Sequence, residues 1–210
     1  MAISIAENRD CMEAMKEFPD KFFDLAIVDP PYGVGDFVQE ETGTKKYNKD
    51  YACTWNFDIP PKEYFDELKR VSKNYIIWGG NYYKEYITDA GTIIWDKGNN
   101  SPVGSQAEIA TTNLFKRVVM FKYQWTGFMV AKKEDARIHP CQKPIALYEL
   151  LMKDYAKNGF KILDTHLGSG SSRVAAQNLG FDFWGYEIDK EYFDKQEKRF
   201  NVMDNNIFGI

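Results

Sequence analysis

The segment Asp29-Pro30-Pro31-Tyr32 combines residue types that could bind an amino group. It follows directly on an apolar run at residues 25–28, which is typical of a buried strand. The two prolines remove two backbone N–H donors and fix φ, so the carbonyl oxygen of Pro30 is free to accept a hydrogen bond from a ligand. We expect this oxygen and the Asp29 carboxylate to grip one NH2 group, with Tyr32 as a flat ring for stacking a base. Taken alone, the tetrapeptide fits equally well a strand end and a rigid turn, in which Asp29 caps a local backbone group.

A second segment has the composition of a nucleotide-type site. An apolar run at residues 160–163 leads into Asp164, the turn Gly168-Ser169-Gly170 and a helical pattern that Gly180 ends. Glycines let a ligand approach the backbone, and the start of a helix offers unpaired N–H groups. The next apolar run ends in Glu187, 23 residues after Asp164, where an acid can bond to both ribose hydroxyls. Because the spacing is not GxGxxG and Asp164 would repel a pyrophosphate, a ligand with a ribose and a positively charged amine fits better than NAD.

Both segments must be held by a scaffold, and short apolar runs that alternate with helical patterns predict βα units. The fold class we predict is α/β, with a doubly wound, mostly parallel sheet of about seven strands in a single domain over residues 1–210. The predicted strands lie at residues 3–5, 25–28, 75–78, 92–95, 118–121, 160–163 and 183–186. Helices are predicted after Pro61, after Pro144, from Ser172 to Leu179, and after Asp189 as an N-cap.

The charge of the chain limits how it could bind nucleic acid. The formal net charge is -4, which argues against a protein that simply coats a polyanion. Residues 113–143, however, carry seven basic and only two acidic side chains. Any contact with nucleic acid must therefore come from a local basic patch of this kind.

Cysteine and histidine usage argues against a metal protein. Cys11, Cys53 and Cys141 stand far apart and form no CxxC pair, which suits a reducing compartment and excludes a zinc ribbon. Two histidines, His139 and His166, are too few for a metal site. No apolar stretch approaches the length of a membrane span, and the N-terminus is too polar for a signal peptide. We expect a cytoplasmic protein without a metal.

Together, the segments resemble the amino-methyltransferases that use S-adenosylmethionine, specifically the DNA adenine-N6 group whose catalytic motif precedes its cofactor motif. The resemblance covers residues 3–200 and suggests a phage or restriction-modification type of enzyme. Asp29-Pro30-Pro31-Tyr32 matches the catalytic motif, residues 139–144 resemble the HPTQKP segment, and residues 164–171 resemble DPFxGSGT. Residues 77–82 look like the strand and turn that follow the catalytic helix. The resemblance implies the Rossmann-like class I methyltransferase fold with a circularly permuted order of motifs.

The resemblance also implies roles for individual residues. Asp10, with Cys11, would lie at the adenine amine of the cofactor, Glu187 at its ribose, and Lys143 at its methionine part. The remaining cofactor-binding residues would be Asp164, Gly168, Ser169 and Gly170. Asp29, Pro30, Pro31 and Tyr32 would be catalytic. Thr165 and His166 depart from the family, which usually has Pro and Phe there.

The mechanism that the resemblance implies is direct transfer of a methyl group. Because the lone pair of the exocyclic nitrogen is delocalised into the ring, accepting its two N–H bonds would favour a tetrahedral nitrogen aimed at the methyl group. The base must first leave the duplex, and stacking on Tyr32 would offset part of that cost. The implied partners are DNA and, as an open alternative, a second copy of the chain in a homodimer. Residues 33–51 would form a catalytic loop, and residues 97–138 a short target-recognition region.

Other functions stay open. The segment Pro140-Cys141-Gln142 matches the nucleophile motif of cytosine-C5 methyltransferases, but there the cysteine follows the glycine loop, so we expect Cys141 to be inert. An N4-cytosine enzyme shares the chemistry, although that group usually carries Ser where this chain has Asp29. RNA is an alternative substrate, because extruding a base costs less in a single strand. A catalytically inactive homologue that binds nucleic acid is a further alternative, although neither motif is degenerate.

Overall fold

The computed structural model describes residues 2–34, 58–98, 105–125 and 137–208. Most of the expected catalytic loop at residues 33–51 lies outside these ranges, as do residues 99–104 and 126–136 of the expected target-recognition region. Within the described part of the chain, helices lie on both faces of one mixed sheet of eight strands. The predicted α/β fold class is therefore confirmed.

The sheet contains every predicted strand and one more. In chain order, the strands are β1 Ser4–Asn8, β2 Phe23–Val28, β3 Ser72–Trp78, β4 Gly91–Asp96, β5 Ala107–Thr112, β6 Val118–Lys122, β7 Lys161–Asp164 and β8 Asp182–Glu187. The sequence analysis missed β5, because its residues AEIATT include a single large apolar side chain. Strands β5 and β6 both fall inside residues 97–138, so much of that region belongs to the sheet.

The strand order is β1-β8-β7-β2-β3-β5-β4-β6. From β1 to β3, all neighbouring strands are parallel. Strand β5 runs antiparallel to both β3 and β4, whereas β6 is parallel to β4. The first residues of β5 therefore lie at the same edge of the sheet as the last residues of β3 and β4.

Five helices are described, and four of them begin at or next to the predicted signals, whereas α1 was not predicted. They are α1 Cys11–Met15, α2 Lys62–Val71, α3 Ile145–Tyr155, α4 Ser171–Leu179 and α5 Lys190–Phe208. Asp189 caps α5 by accepting the N–H groups of Glu191 and Tyr192, as predicted. Gly180 ends α4 with φ of 73°, a conformation that favours glycine. Within the described ranges, no helix combines the length and the apolar character that crossing a membrane requires.

The core is divided by the sheet into two layers, as alternation along a central strand requires. On β2, Leu25 and Ile27 pack on one face, together with apolar side chains of α3 and α4. Ala26 and Val28 pack on the other face, against α1 and α2. Both faces of β2 are therefore buried, and its carboxyl end is what remains open to a ligand.

Candidate active site

Four acidic residues stand at one edge of the sheet. Asp29 follows β2, Asp164 ends β7, Glu187 ends β8, and Asp10 comes two residues after β1. These strands are parallel neighbours in the order β1-β8-β7-β2, so their carboxyl ends meet at a single edge. This is where α/β sheets of this kind bind ligands. The structure therefore brings the two motifs to the same edge of the sheet.

The Asp29 carboxylate is engaged by two side chains of the same protein. Its Oδ1 accepts the hydroxyl of Tyr32 at 2.5 Å, and its Oδ2 accepts the ammonium of Lys143 at 2.5 Å. The Lys143 ammonium lies 3.1 Å from the Tyr32 hydroxyl oxygen. Lys143 was predicted to lie at the methionine part of a cofactor, and the structure places it against the Asp29 carboxylate.

Glu108, which the sequence analysis missed, completes this group of charges. Its Oε2 lies 3.0 Å from the ammonium of Lys143, and its Oε1 lies 2.6 Å from that of Lys97. The Lys143 side chain is only 4% exposed, so its charge depends on these partners. Nothing in the sequence marked Glu108, because a single acid in an unassigned segment is usually an exposed side chain.

The pKa values follow from burial and from these pairs. Burial raises the pKa of Asp29, and this outweighs the lowering by Lys143. For Glu108, burial is outweighed by Lys143 and Lys97, which hold its pKa well below the ordinary value. Burial would lower the pKa of Lys143, but Asp29 and Glu108 together raise it above its ordinary value. Lys143 therefore stays charged at any physiological pH.

The carbonyl groups of the proline pair are held by a tyrosine. The buried hydroxyl of Tyr83 lies 2.7 Å from the carbonyl oxygens of both Pro30 and Pro31. The Pro30 carbonyl, which was expected to be free to accept a hydrogen bond from a ligand, therefore already has one donor within the protein. A carbonyl oxygen has two lone pairs, so that of Pro30 can still accept a second hydrogen bond. What Tyr83 adds is a fixed orientation for the turn.

The ring of Tyr32 is fixed by the turn after β3. It stacks on the ring of Tyr82, with centroids 5.1 Å apart and planes 16° from parallel. Gly79, in the same turn, has φ of 76° and lies directly against Tyr32. Tyr82 is 42% exposed, whereas Tyr83 is fully buried. Of these two tyrosines, only Tyr82 presents an accessible ring beside the catalytic motif.

Glu187, at the end of the neighbouring strand β8, bonds to the backbone of the glycine turn. Its Oε2 accepts the N–H of Gly168 at 2.8 Å, and its Oε1 accepts the N–H of Asp189 at 2.9 Å. Burial raises the pKa of Glu187, and these two backbone donors partly offset that effect. Gly168 and Gly170 have φ of 51° and 73°, so the turn needs glycine at both places.

Asp164 is buried beneath the same turn. It accepts the backbone N–H of His166 at 3.0 Å and the hydroxyl of Ser172 at 2.5 Å. Burial nevertheless raises its pKa to about 7. Arg199 of α5, which the sequence analysis did not single out, donates to the carbonyl oxygen of Ser169 at 2.6 Å. Asp164 therefore bonds to residues on either side of the glycine turn, and the guanidinium of Arg199 bonds to the turn itself.

Asp10 caps helix α1. Its Oδ1 accepts the N–H groups of Met12 at 2.7 Å and of Glu13 at 3.2 Å. The neighbouring Cys11 is half-buried, and burial, with the charge of Asp10, raises the pKa of its thiol to about 12. Cys11 is therefore a neutral thiol.

The two residues that depart from the family motif pack together beside the turn. Thr165 Oγ1 lies 2.6 Å from the hydroxyl of Tyr64 and 3.0 Å from Nδ1 of His166. The rings of Tyr64 and His166 meet edge to face, with centroids 5.3 Å apart. Burial lowers the pKa of His166 to about 4, so its ring is neutral.

The segment at residues 139–144 lies between the two motifs. Lys143 reaches Asp29, whereas a Cβ atom on Gly168 would lie 3.6 Å from the ring of His139. Burial and the charge of Lys143 lower the pKa of His139 to about 3. Cys141 is exposed, and its N–H donates to Nδ1 of His139. No group of three or more candidate metal ligands occurs among the described residues.

Comparison with known sequences points to DNA methylases. Residues 104–198 match the model of a DNA methylase family, N6_N4_Mtase. The chain is 33% identical over 111 residues to the Type II methyltransferase M2.LlaDCHI of Lactococcus lactis subsp. cremoris, covering 52% of this chain and 41% of the relative. It is 34% identical over 109 residues to the Type II methyltransferase M2.DpnII of Streptococcus pneumoniae, covering 51% and 41%. Each match spans about two fifths of the relative.

Solved structures share the fold over almost the whole chain. M1.HpyAVI in its complex with SAM superimposes with a TM-score of 0.63 at 20% identity, covering 96% of this chain and 100% of that one. The PvuII DNA methyltransferase, described as cytosine-N4-specific, gives a TM-score of 0.61 at 11% identity, covering 100% of this chain and 95% of that one. The fold is therefore the Rossmann-like fold of DNA methyltransferases, as predicted.

The sheet, with acids at the ends of four neighbouring parallel strands, defines the chain as a Rossmann-like protein with a methyltransferase architecture. Through residues 104–198, it is similar to the N6_N4_Mtase family of DNA methylases.

Proposed function

We propose that the protein transfers a methyl group from S-adenosylmethionine to the exocyclic N6 amine of adenine in DNA. The observation that carries the proposal is the placement of Asp29 at the end of β2, separated by β7 alone from the strand that ends in Glu187. An acceptor for an amine and a site for a ribose therefore share one edge of the sheet. The names of the two Type II methyltransferases and the solved complex with SAM support the same function.

The residues at this edge suit S-adenosylmethionine. Asp10, Asp164 and Glu187 are three acids around a glycine turn, a set that favours a ligand with positive charge and hydroxyl groups over an anionic dinucleotide. Glu187 would bind the ribose, Asp10 with Cys11 the adenine amine, and Asp164 with residues 168–170 the part that passes over the turn. Bound there, S-adenosylmethionine supplies an electrophilic methyl group on a positively charged sulfur.

The catalytic motif would act on the target amine. Asp29 would accept one N–H of the amine, and the Pro30 carbonyl would accept the other with the lone pair that Tyr83 leaves. Because both acceptors are held in place before the base arrives, they can favour a tetrahedral nitrogen without reorganising. Tyr32, fixed against Gly79 and Tyr82, would stack on the extruded base. Pro31 would keep the turn rigid.

Adenine is favoured over cytosine by the residue at position 29. The fold does not exclude N4-cytosine as the target, since the cytosine-N4-specific PvuII enzyme shares it with a TM-score of 0.61. The N4-cytosine group usually carries Ser where this chain has Asp29, so the catalytic motif resembles that of adenine enzymes. N4-cytosine in DNA and adenine in RNA are the second and third candidates.

The DNA contacts would come from the basic residues between 113 and 143 and from the loop at residues 33–51. We place the protein in the cytoplasm of a bacterium or of a phage-infected cell, where unmethylated DNA is available. A homodimer would bring two basic surfaces to one duplex.

Tritiated methyl transfer to unmethylated genomic DNA, followed by nucleoside chromatography, tests the proposal. Label should appear in N6-methyldeoxyadenosine, and Asp29→Ala should reduce its rate about 10²–10³-fold. The variant should fold, because Lys143 keeps Glu108 as a partner. Cys141→Ser should retain most of the activity. Label in 5-methylcytosine that vanishes with Cys141→Ser would refute the proposal. Label in N4-methylcytosine would show that the target base is cytosine, and label in RNA alone would show that the substrate is RNA.

A further inference from the structure

The catalytic carboxylate has no oxygen that is left without a donor from its own chain. Oδ1 accepts Tyr32 and Oδ2 accepts Lys143, each at 2.5 Å. If Asp29 is to accept an N–H of the target amine, as the proposed function requires, one of these two donors must give way. The side chains around Asp29 indicate which of the two it is.

Both donors have Glu108 as a second partner, but Lys143 lies closer to it. The Lys143 ammonium is 3.0 Å from Oε2 of Glu108, whereas the Tyr32 hydroxyl is 3.5 Å from the same oxygen, so Lys143 keeps a close carboxylate when it leaves Asp29. The ring of Tyr32 is restrained by Gly79, in the turn after β3, and by its stacking on the ring of Tyr82. A short movement of a flexible lysine side chain therefore costs less than a movement of the tyrosine ring.

Glu108 is well placed to retain the lysine because its backbone is fixed. Strand β5 pairs with β4 through Glu108 itself and with β3 two residues further on. The N–H of Gly79 also donates to the carbonyl oxygen of the adjacent Ile109 at 2.8 Å. The second ammonium, that of Lys97, pairs with the other oxygen of Glu108 and keeps this carboxylate ionised. Glu108 is thus a fixed negative charge next to a lysine that can move.

We propose that Glu108 is a positioning residue that holds the Lys143 ammonium when the target amine takes its place on Asp29. The inference rests on the proposed function and adds a step to it, the exchange of an intramolecular cation for a neutral N–H donor. A lysine that stays nearby still favours the ionised form of Asp29 while its Oδ2 is released. Without the charge of Glu108, Asp29 would be the one carboxylate among the described residues that pairs with this buried ammonium, and the amine would have to compete with the ammonium for Asp29.

The test is a double-mutant cycle on methyl transfer to genomic DNA, with saturating S-adenosylmethionine and varied DNA. Glu108→Gln should lower kcat/KM for DNA about tenfold, because the amine competes with a more tightly held lysine. In the Lys143→Met background, the same change should alter kcat/KM by less than about twofold, because there is no ammonium left to hold. Affinity for the cofactor, measured by titration calorimetry, should be equal in the parent and in Glu108→Gln.

Glu191→Gln provides the matched control. It removes the charge of an exposed glutamate that pairs with Lys195 on α5, and it should behave as the parent does. Equal losses from Glu108→Gln in both backgrounds, or a parallel loss of cofactor affinity, would show that Glu108 acts through the fold and would overturn the inference. If the parent is active and Glu108→Gln is as active as the parent, the inference on Glu108 is refuted and the proposed function stands. A parent that methylates no nucleic acid would refute the proposed function and, with it, the exchange.

Discussion

The ring of Tyr32 lies so close to Gly79 that a Cβ atom on the glycine would come within 2.4 Å of Cε1 of the tyrosine. Tyr32 follows β2 and Gly79 follows β3, which are neighbouring parallel strands. Gly79 also has φ of 76°, so glycine is required there both for the backbone and for the space. The turn after β3 therefore sets where the ring of Tyr32 can lie.

Gly79→Ala should destabilise the protein and displace Tyr32. The left-handed backbone alone should cost about 1–2 kcal/mol, and the steric conflict with the ring about 1–3 kcal/mol more. Gly159→Ala is the matched control, since Gly159 has φ of 82° but nothing within 4 Å of its added Cβ. Urea unfolding of both variants separates the two costs. Equal losses of unfolding free energy in Gly79→Ala and Gly159→Ala would mean that the ring of Tyr32 moves aside at no energetic cost.

Glu187→Ala should weaken the binding of S-adenosylmethionine. Each lost hydrogen bond between the carboxylate and a ribose hydroxyl is worth about 1.5–3 kcal/mol, and titration calorimetry measures the sum. The control is Asp182→Ala, on the same strand, where the carboxylate accepts the N–H of Ile3. That variant loses a bond to the backbone at the opposite edge of the sheet, so its cofactor affinity should match the parent's. An unchanged affinity in Glu187→Ala would remove this residue from the cofactor site.

Asp164 should make the stability of the ligand-free protein depend on pH. Burial raises its pKa to about 7 in the folded protein, against about 3.9 in an unfolded chain. The stabilisation from its proton is complete below the lower value and is lost as the pH rises through the higher one. Between pH 5 and pH 8, Asp164→Asn should therefore gain about 1–3 kcal/mol of unfolding free energy relative to the parent.

Urea titrations of the parent and of Asp164→Asn at several pH values measure this difference. Other titrating groups, including His139 and His166, are common to both proteins and cancel in the comparison. A difference that does not vary with pH would mean that Asp164 is ionised throughout this range.

Reversing Lys132 and Lys133 to glutamate should weaken DNA binding and flatten its dependence on salt. Both lysines lie in the basic stretch at residues 113–143, outside the described residues, so this prediction rests on the sequence. Each phosphate contact that is lost reduces the slope of log K against log salt by about 1. The control reverses Lys153 and Lys157, which are exposed near the end of α3, before β7 begins. Equal slopes for the two double variants would refute the assignment.

The strands that could be predicted are those with a continuous apolar pattern. Strand β2, for example, is buried on both faces, and its run of apolar residues predicts this directly. Strand β5 could not be predicted, because threonine and alanine side chains near the middle of a sheet obtain their burial from β3 and β4 on either side. Which strands neighbour one another is a property of the whole fold.

The candidate site shows the same limit. Asp29, Asp164 and Glu187 each end a strand, so local sequence places them at one edge of the sheet. The contact of Lys143 with Asp29 joins residues that are 114 positions apart, and no local pattern encodes it. Glu108 and Tyr83 were missed for the same reason: each acts through a neighbour that is distant in sequence.

The strand order also determines when during synthesis the site can form. Strand β2 pairs on one side with β3, but its other neighbour, β7, begins only at Lys161. Strand β1 pairs with β8, at the far end of the described chain. Until the ribosome has released those segments, β2 presents an unpaired apolar edge of the kind that promotes aggregation. Strand β2, which leads directly into Asp29, should therefore need protection in the nascent chain until β7 has been made.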